Sequence, residues 1–155
     1  MVLVFAETQK GKFKKAAFEA VTYGNKTAQI LGTDCAALVL GTAKNAGQLG
    51  KYGASKVYQI DNAGLNDFDS QSYASVISEA AQKIGAQVVI VSHSSTGKSL
   101  LGRLSVRLNA GSAAGVNAVP TNDGAFKVSK TVFSGKAIAT YEISSDVKVL
   151  SVMGN

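Results

Sequence analysis

The sequence predicts a doubly wound α/β fold, a three-layer sandwich of the nucleotide-binding kind with a mostly parallel sheet, helices on both faces and a carboxy-terminal antiparallel extension. Up to Asn109, apolar runs typical of buried strands alternate with segments whose apolar residues recur every three or four positions, as in helices. Such alternation indicates parallel strands joined by right-handed crossovers. After Asn109 the strand-like runs are separated only by short turns, which favours antiparallel pairing.

The first part of the chain supplies two strands and two helices. Val2–Ala6 is a nearly continuous apolar run, typical of a strand covered on both faces. Small and apolar residues then follow helical spacing over residues 13–31, which predicts a long helix that ends at Gly32. A second buried strand is predicted at Asp34–Leu40, and a short helix at Ala43–Lys51.

The alternating run Lys56–Ile60 predicts a third strand close to the edge of the sheet. A polar loop follows, in which Asp69 or Ser70 is suited to cap the next helix. That helix is predicted from the apolar spacing of residues 73–84 and ends at Gly85.

The most apolar strand is predicted at Gln87–Ser92, and a helix follows it. The inner face of that helix carries leucines, namely Leu100, Leu101, Leu104 and Leu108. Beyond it, Gly111–Val119 is small and apolar until Pro120 interrupts the run. The predicted antiparallel section consists of three strand-like runs, Ala125–Phe133, Lys136–Ile143 and Val147–Val152.

Length and composition exclude several classes of protein. A chain of 155 residues is expected to form a single α/β domain over residues 1–155. One Cys and one His exclude a disulfide framework, a thiolate cluster and any metal site with two imidazoles. The opening apolar run lacks a preceding basic region, and no run approaches the roughly 18 residues of a membrane span. We therefore expect a cytoplasmic protein without membrane insertion.

The formal net charge is +6, from 16 basic and 10 acidic residues. The basic residues are spread along the chain, and their one cluster is Lys10, Lys12, Lys14 and Lys15. Nucleic-acid binding needs basic residues concentrated on one face, so we expect no nucleic-acid partner. A solvated surface and a surface for an acidic protein partner both remain open.

The loop after the most apolar strand contains candidate anion-binding or nucleotide-binding residues, namely Ser94, Thr96, Gly97 and Lys98. The predicted strand is followed here by the N-terminus of a predicted helix, where free backbone amides favour an anion. The loop lacks the first glycine of a phosphate loop, because Ser92 stands at that position. The other interpretation is that residues 94–96 cap the helix while Lys98 is solvated.

Two further residues, Glu7 and His93, follow the first and fourth predicted strands. In doubly wound sheets such strands are often neighbours, and ligands bind beyond their carboxyl ends. Glu7 can equally be the first residue of an exposed loop. A nucleophile–base pair of Cys35 or a serine with His93 lacks an orienting third group, so no catalytic residue and no metal site are expected.

The segment after His93 resembles the strand-to-helix segment of electron transfer flavoprotein α subunits, which has the pattern G-[KR]-x-L-x-x-R-x-A-x-x-L. The matching places are taken by Gly97, Lys98, Leu100, Arg103 and Leu108. Three more segments resemble the family in the same order, namely Val2–Glu7, Lys130–Ala137 and Val147–Asn155.

The resemblance implies a heterodimer of α and β subunits that carries electrons from flavin dehydrogenases through FAD. In that family the FAD-binding residues lie in a second, carboxy-terminal domain with Gly/Arg-rich and G-Q-[TS]-G-K motifs, neither of which occurs in these 155 residues. We therefore expect an amino-terminal domain alone, a non-catalytic scaffold that binds no FAD itself and docks on the β subunit.

An alternative from another class is a stand-alone adenine-nucleotide-binding module of the universal-stress kind. Such modules carry a G-x(2)-G-x(8–9)-G-[ST] phosphate loop after the fourth strand. Gly97, Gly102, Gly111 and Ser112 fall in this region, but the first glycine spacing is too long. Nucleotide binding that depends on Lys98 would distinguish this module from the docking domain.

Overall fold

The structure, a computed structural model, describes residues 1–154. Its helices are α1 (Lys15–Leu31), α2 (Ser70–Ile84), α3 (Ser95–Arg107) and two short 3-10 helices at Ala46–Tyr52 and Ala63–Leu65. Its strands are β1 (Val2–Phe5), β2 (Thr8–Gln9), β3 (Lys12–Phe13), β4 (Cys35–Leu40), β5 (Lys56–Ile60), β6 (Val88–Ser92), β7 (Gly111–Val116), β8 (Thr121–Asn122), β9 (Phe126–Val132), β10 (Ala137–Glu142) and β11 (Lys148–Val152).

A six-stranded parallel sheet in the order β5-β4-β1-β6-β11-β7 forms the centre of the fold. The chain runs outward from β1 through β4 to β5, and then returns to the other side of β1 as β6. Helix α1 packs on one face of this sheet, whereas α2 and α3 pack on the other. The predicted doubly wound α/β class is confirmed, and β5 lies at the predicted edge.

Local signals in the sequence correctly locate the ends of the helices. Gly32 and Gly85 end α1 and α2 with φ values of 68° and 66°, a left-handed conformation that favours glycine. Asp69 caps α2 by accepting a hydrogen bond from the Ser72 amide at 2.9 Å. The short helix expected at 43–51 is a 3-10 helix shifted to Ala46–Tyr52.

The segment after β1 differs from its prediction. Residues 8–13 form a two-stranded hairpin, so α1 begins at Lys15 rather than at Phe13. The turn consists of Lys10 and Gly11, with φ values of 52° and 78°. Mirror-image turns of this kind match the twist of paired strands, but Lys10 is not a residue type that signals one.

The carboxy-terminal section is only partly antiparallel. Strands β8, β9 and β10 form the expected antiparallel extension, in which β9 lies at the centre. The prediction that Val147–Val152 joins this extension is wrong, because β11 lies in the main sheet, parallel to both β6 and β7. Val149 and Leu150 are fully buried there, on opposite faces of the sheet, so this continuous apolar run is covered on both sides.

Candidate functional site

The direction of strand order reverses between β1 and β6, and the residues that follow these two strands meet beyond the sheet. Glu7 is 3% exposed and accepts a hydrogen bond from the Ser94 hydroxyl at 2.6 Å. The Lys14 ammonium, at the start of α1, lies 2.9 Å from the second carboxylate oxygen of Glu7. The prediction that the first and fourth strands are neighbours is confirmed, and Glu7 is buried rather than exposed.

Ser94 connects this carboxylate to the N-terminus of α3. Its hydroxyl accepts a hydrogen bond from the Gly97 amide at 3.1 Å while donating to Glu7. A Cβ on Gly97 would lie 1.7 Å from the Ser92 carbonyl oxygen, so this first turn of α3 packs too closely on β6 for any side chain. The glycine therefore fixes where the helix N-terminus sits relative to the strand end.

Glu7 places a carboxylate in the crevice where open α/β sheets commonly bind ligands. A helix N-terminus favours a negative charge, and Glu7 supplies one that is one hydrogen bond away from the N-cap residue Ser94. Lys14 provides the opposite charge. The carboxylate of Glu7 thus supplies the negative charge that an anionic ligand would otherwise supply at this crevice.

The structure places the four predicted anion-binding residues at the N-terminus of α3. Ser94 and Gly97 are engaged in the cap, which agrees with the capping interpretation. Lys98 is exposed, whereas Thr96 lines a separate cleft. Their role in binding an anion stays a prediction.

His93 connects the ends of β6 and β11. Its Nδ1 lies 2.9 Å from the Ser151 hydroxyl, which also accepts a hydrogen bond from the Gly115 amide. Burial lowers the pKa of His93, and the positive charges of Lys98 and Lys130 lower it further. The neutral imidazole is therefore favoured, in a role that holds strand ends together.

Cys35 lies in β4, which β1 separates from β6 and the adjoining His93. Burial raises the pKa of its thiol to about 11, so the sulfur stays protonated and unreactive near neutral pH. The structure thus does not bring Cys35 and His93 together as a nucleophile and its base.

A cleft of about 1050 Å³ opens beside the Glu7 crevice, between the β2–β3 hairpin and the loops that follow β4 and β5. Its lining includes four lysines, Lys10, Lys12, Lys14 and Lys44. Asp67 is the acidic residue in the lining. The lysine cluster is evident in the sequence but the cleft is not, because the helical spacing that starts at Phe13 does not predict the β2–β3 hairpin that positions these side chains.

The β9–β10 hairpin carries an exposed apolar end. Phe133 is 77% exposed and Ile138 is 75% exposed, and we call these two residues with the intervening turn the hairpin tip. Phe133, Ser134 and Gly135 all have positive φ values, at 52°, 53° and 85°. A bulky side chain in this left-handed region is rare, so the turn holds Phe133 outward at some conformational cost.

The described part of the chain contains neither a metal-binding cluster nor a membrane-spanning helix. Within residues 1–154, no three acidic, histidine or cysteine side chains gather as a metal ion would require. None of the helices there combines the length and the hydropathy needed for a membrane span.

Comparison with known proteins gives a consistent result. The family model described as "Electron transfer flavoprotein domain" matches residues 2–155. A FixB protein of Clostridium saccharobutylicum is 30% identical over 90% of this chain and 42% of its own length. An electron transfer flavoprotein subunit alpha of Clostridium acetobutylicum is 29% identical over 90% of this chain and 43% of its own length.

One of the matching relatives has a name that refers to a different electron-transfer system. The acryloyl-CoA reductase electron transfer subunit beta of Anaerotignum propionicum is 30% identical over 71% of this chain and 30% of its own length. The chain therefore spans less than half the length of the curated relatives it matches.

Proposed function

This chain belongs to the electron transfer flavoprotein family and resembles its α subunits, and we propose that it is the amino-terminal docking domain of such a subunit. In this proposal the domain forms no catalytic site of its own. It holds the β subunit of the assembly through the hairpin tip, while an FAD bound elsewhere in the α subunit exchanges electrons with flavin dehydrogenases. When bound, the flavin itself supplies the electron chemistry.

The exposed hairpin tip is the observation that supports docking most directly. Phe133 and Ile138 each leave about three quarters of their surface in water, at 77% and 75% exposure. Burial of such side chains in a partner's pocket would gain about 1.5–3 kcal/mol each. The turn presents Phe133 outward in the chain without a partner, through positive φ values at three consecutive residues.

The Glu7 crevice supports the second part of the proposal, that FAD is held elsewhere. The pyrophosphate of a dinucleotide in a doubly wound fold needs free amides at a helix N-terminus by the strand-order reversal. Here the Gly97 amide already donates to Ser94, and the Glu7 carboxylate would repel a pyrophosphate. The residues present therefore do not fit FAD at this crevice.

Binding to an electron transfer flavoprotein β subunit from the same organism tests the docking proposal. Titration calorimetry should yield a complex with this chain, and Phe133→Ser and Ile138→Ser should each weaken it about tenfold or more. Val106→Ser is the matched control, because Val106 is 83% exposed on α3 and is not part of the tip. The control should bind as the unaltered chain does.

Two results would contradict the proposal. Tip variants that bind as tightly as the Val106→Ser control would exclude the hairpin tip as the docking surface. A purified chain of residues 1–155 that retains one FAD per molecule in its visible absorbance spectrum would show that the flavin site is not elsewhere.

A further inference from the structure

The cleft beside Glu7 is lined by Lys10, Lys12 and Lys44, and we call it the lysine cleft. It takes no part in the proposed docking. Its geometry is set by the backbone. The amide of Lys44 donates to the Gly11 carbonyl at 3.3 Å, which joins the loop after β4 to the hairpin turn. Lys10 precedes Gly11 in that turn, so two segments in direct contact carry the three lysines to one cleft.

The salt bridges within residues 1–154 distinguish these three lysines from the fourth. The fourth lysine of the lining, Lys14, lies 2.9 Å from the buried carboxylate of Glu7. Lys10, Lys12 and Lys44 are exposed and form no salt bridge with any residue from 1 to 154. Asp67 supplies one negative charge to the same lining, which leaves an excess of positive charge facing the cleft.

The shape and lining of the cleft suit a small ligand rather than a flat surface contact. Its volume of about 1050 Å³ is comparable to the largest small-molecule sites in proteins. It lies beyond the carboxyl ends of β1 and β4, next to the strand-order reversal between β1 and β6 at which open α/β sheets bind ligands. Phe68 is 42% exposed at the cleft and contacts Tyr73 edge-on, so part of its ring is available for stacking.

We propose that the lysine cleft binds a small oligophosphate, with the ammonium groups of Lys10, Lys12 and Lys44 holding the phosphate oxygens. Lysine binds phosphate as a compact point charge, and charge-assisted hydrogen bonds of this kind are stronger than neutral ones. The Ser94 hydroxyl at the neighbouring helix N-terminus is already engaged, because it accepts from the Gly97 amide and donates to Glu7. The phosphates can belong to a nucleoside triphosphate or to inorganic polyphosphate.

Calorimetric titrations with ATP, tripolyphosphate and adenosine at low ionic strength test this site. The triple variant Lys10→Ala/Lys12→Ala/Lys44→Ala should weaken ATP and tripolyphosphate binding about tenfold or more. The matched control is Lys56→Ala/Lys83→Ala/Lys127→Ala, which removes the same charge from exposed lysines outside both the cleft lining and the hairpin tip. That control should bind like the unaltered chain, and circular dichroism should show both variants folded.

The ligands distinguish the two sources of phosphate. Tripolyphosphate that binds as tightly as ATP indicates a site for inorganic polyphosphate. ATP that binds more tightly, with the difference removed by Phe68→Leu, indicates a nucleotide whose base stacks on that ring. Adenosine alone is expected not to bind, because it lacks the charged groups.

Three results would overturn the proposal: equal weakening in the two triple variants, no binding of either phosphate ligand, or equally tight binding of an oligoglutamate peptide. The first would mean diffuse attraction to a basic surface, and the last would mean a site for acidic polypeptide. None of these results depends on whether the hairpin tip docks on a β subunit, so the two proposals fail separately.

Discussion

Glu7 combines burial with a formal charge, and its two partners come from different parts of the fold. Ser94 reaches it from the end of β6, and Lys14 reaches it from the start of α1. Ser94 is also the N-cap of α3, so the carboxylate connects α1 and α3, two helices that pack on opposite faces of the sheet. Removal of its charge would leave these donors with a weaker acceptor in a place that water scarcely reaches.

Glu7→Gln is expected to lower the free energy of unfolding by about 1–3 kcal/mol, because hydrogen bonds to a buried charged group contribute about that much. Urea denaturation followed by circular dichroism measures the change. Glu142→Gln is a suitable control, since Glu142 is exposed on β10 and a surface change of this kind usually stays within about 0.5 kcal/mol. Equal effects from the two substitutions would mean that the Glu7 interactions add no stability.

Helix α3 contains two glycines with opposite environments, which allows a test of how closely it packs on β6. An added Cβ at Gly97 would lie 1.7 Å from the Ser92 carbonyl oxygen, whereas one at Gly102 would meet no atom within 4 Å. Gly97→Ala is therefore expected to destabilise the fold by about 1–3 kcal/mol through overpacking. Gly102→Ala should stabilise it by about 0.5–1 kcal/mol, because alanine favours the helix.

Thermal and urea unfolding of the two variants measure these opposite changes in the free energy of unfolding. A Gly97→Ala protein that is as stable as Gly102→Ala would contradict the close packing of α3 on β6. A crystal structure of the variant would then be expected to show the start of α3 displaced from the end of that strand.

Local elements were predictable where one segment determines its own structure. Gly32, Gly85 and Asp69 mark helix ends through backbone conformation and capping, which depend on a few neighbouring residues. The β2–β3 hairpin was missed because Phe13 fits both the helical spacing and a strand. The partner strands of β11 were also missed, since pairing depends on burial between distant segments rather than on the short turn that precedes it.

The candidate site likewise has one part that the sequence predicts and another that it does not. The meeting of Glu7 with the loop after β6 followed from the order of strands in doubly wound sheets, so general topology was enough to predict it. The lysine cleft depends on a Lys10 backbone with φ of 52°, which no local rule assigns to lysine. Exposure of Phe133 could not be anticipated either, because its apolar side chain would ordinarily predict burial.

Across the whole molecule, stability is expected to be uneven. Strands β1 and β6 are each paired on both sides and almost wholly buried, whereas β10 pairs only with β9 and is mostly exposed. Hydrogen exchange followed by mass spectrometry should therefore find amides of β10 exchanging well before those of β1 and β6. Exchange of all three strands at one rate would mean that the small sheet and the core open as a single unit.

The position of β11 between β6 and β7 has a consequence for how the protein is made. On the ribosome, β6 and β7 emerge first, yet the strand that joins them is translated more than thirty residues after β7. Until it is released from the exit tunnel, a nascent chain holds an open gap in its sheet with two unpaired edges, the condition in which strands associate wrongly. We therefore expect the pairing of β11 with β6 and β7 to be a late step of folding.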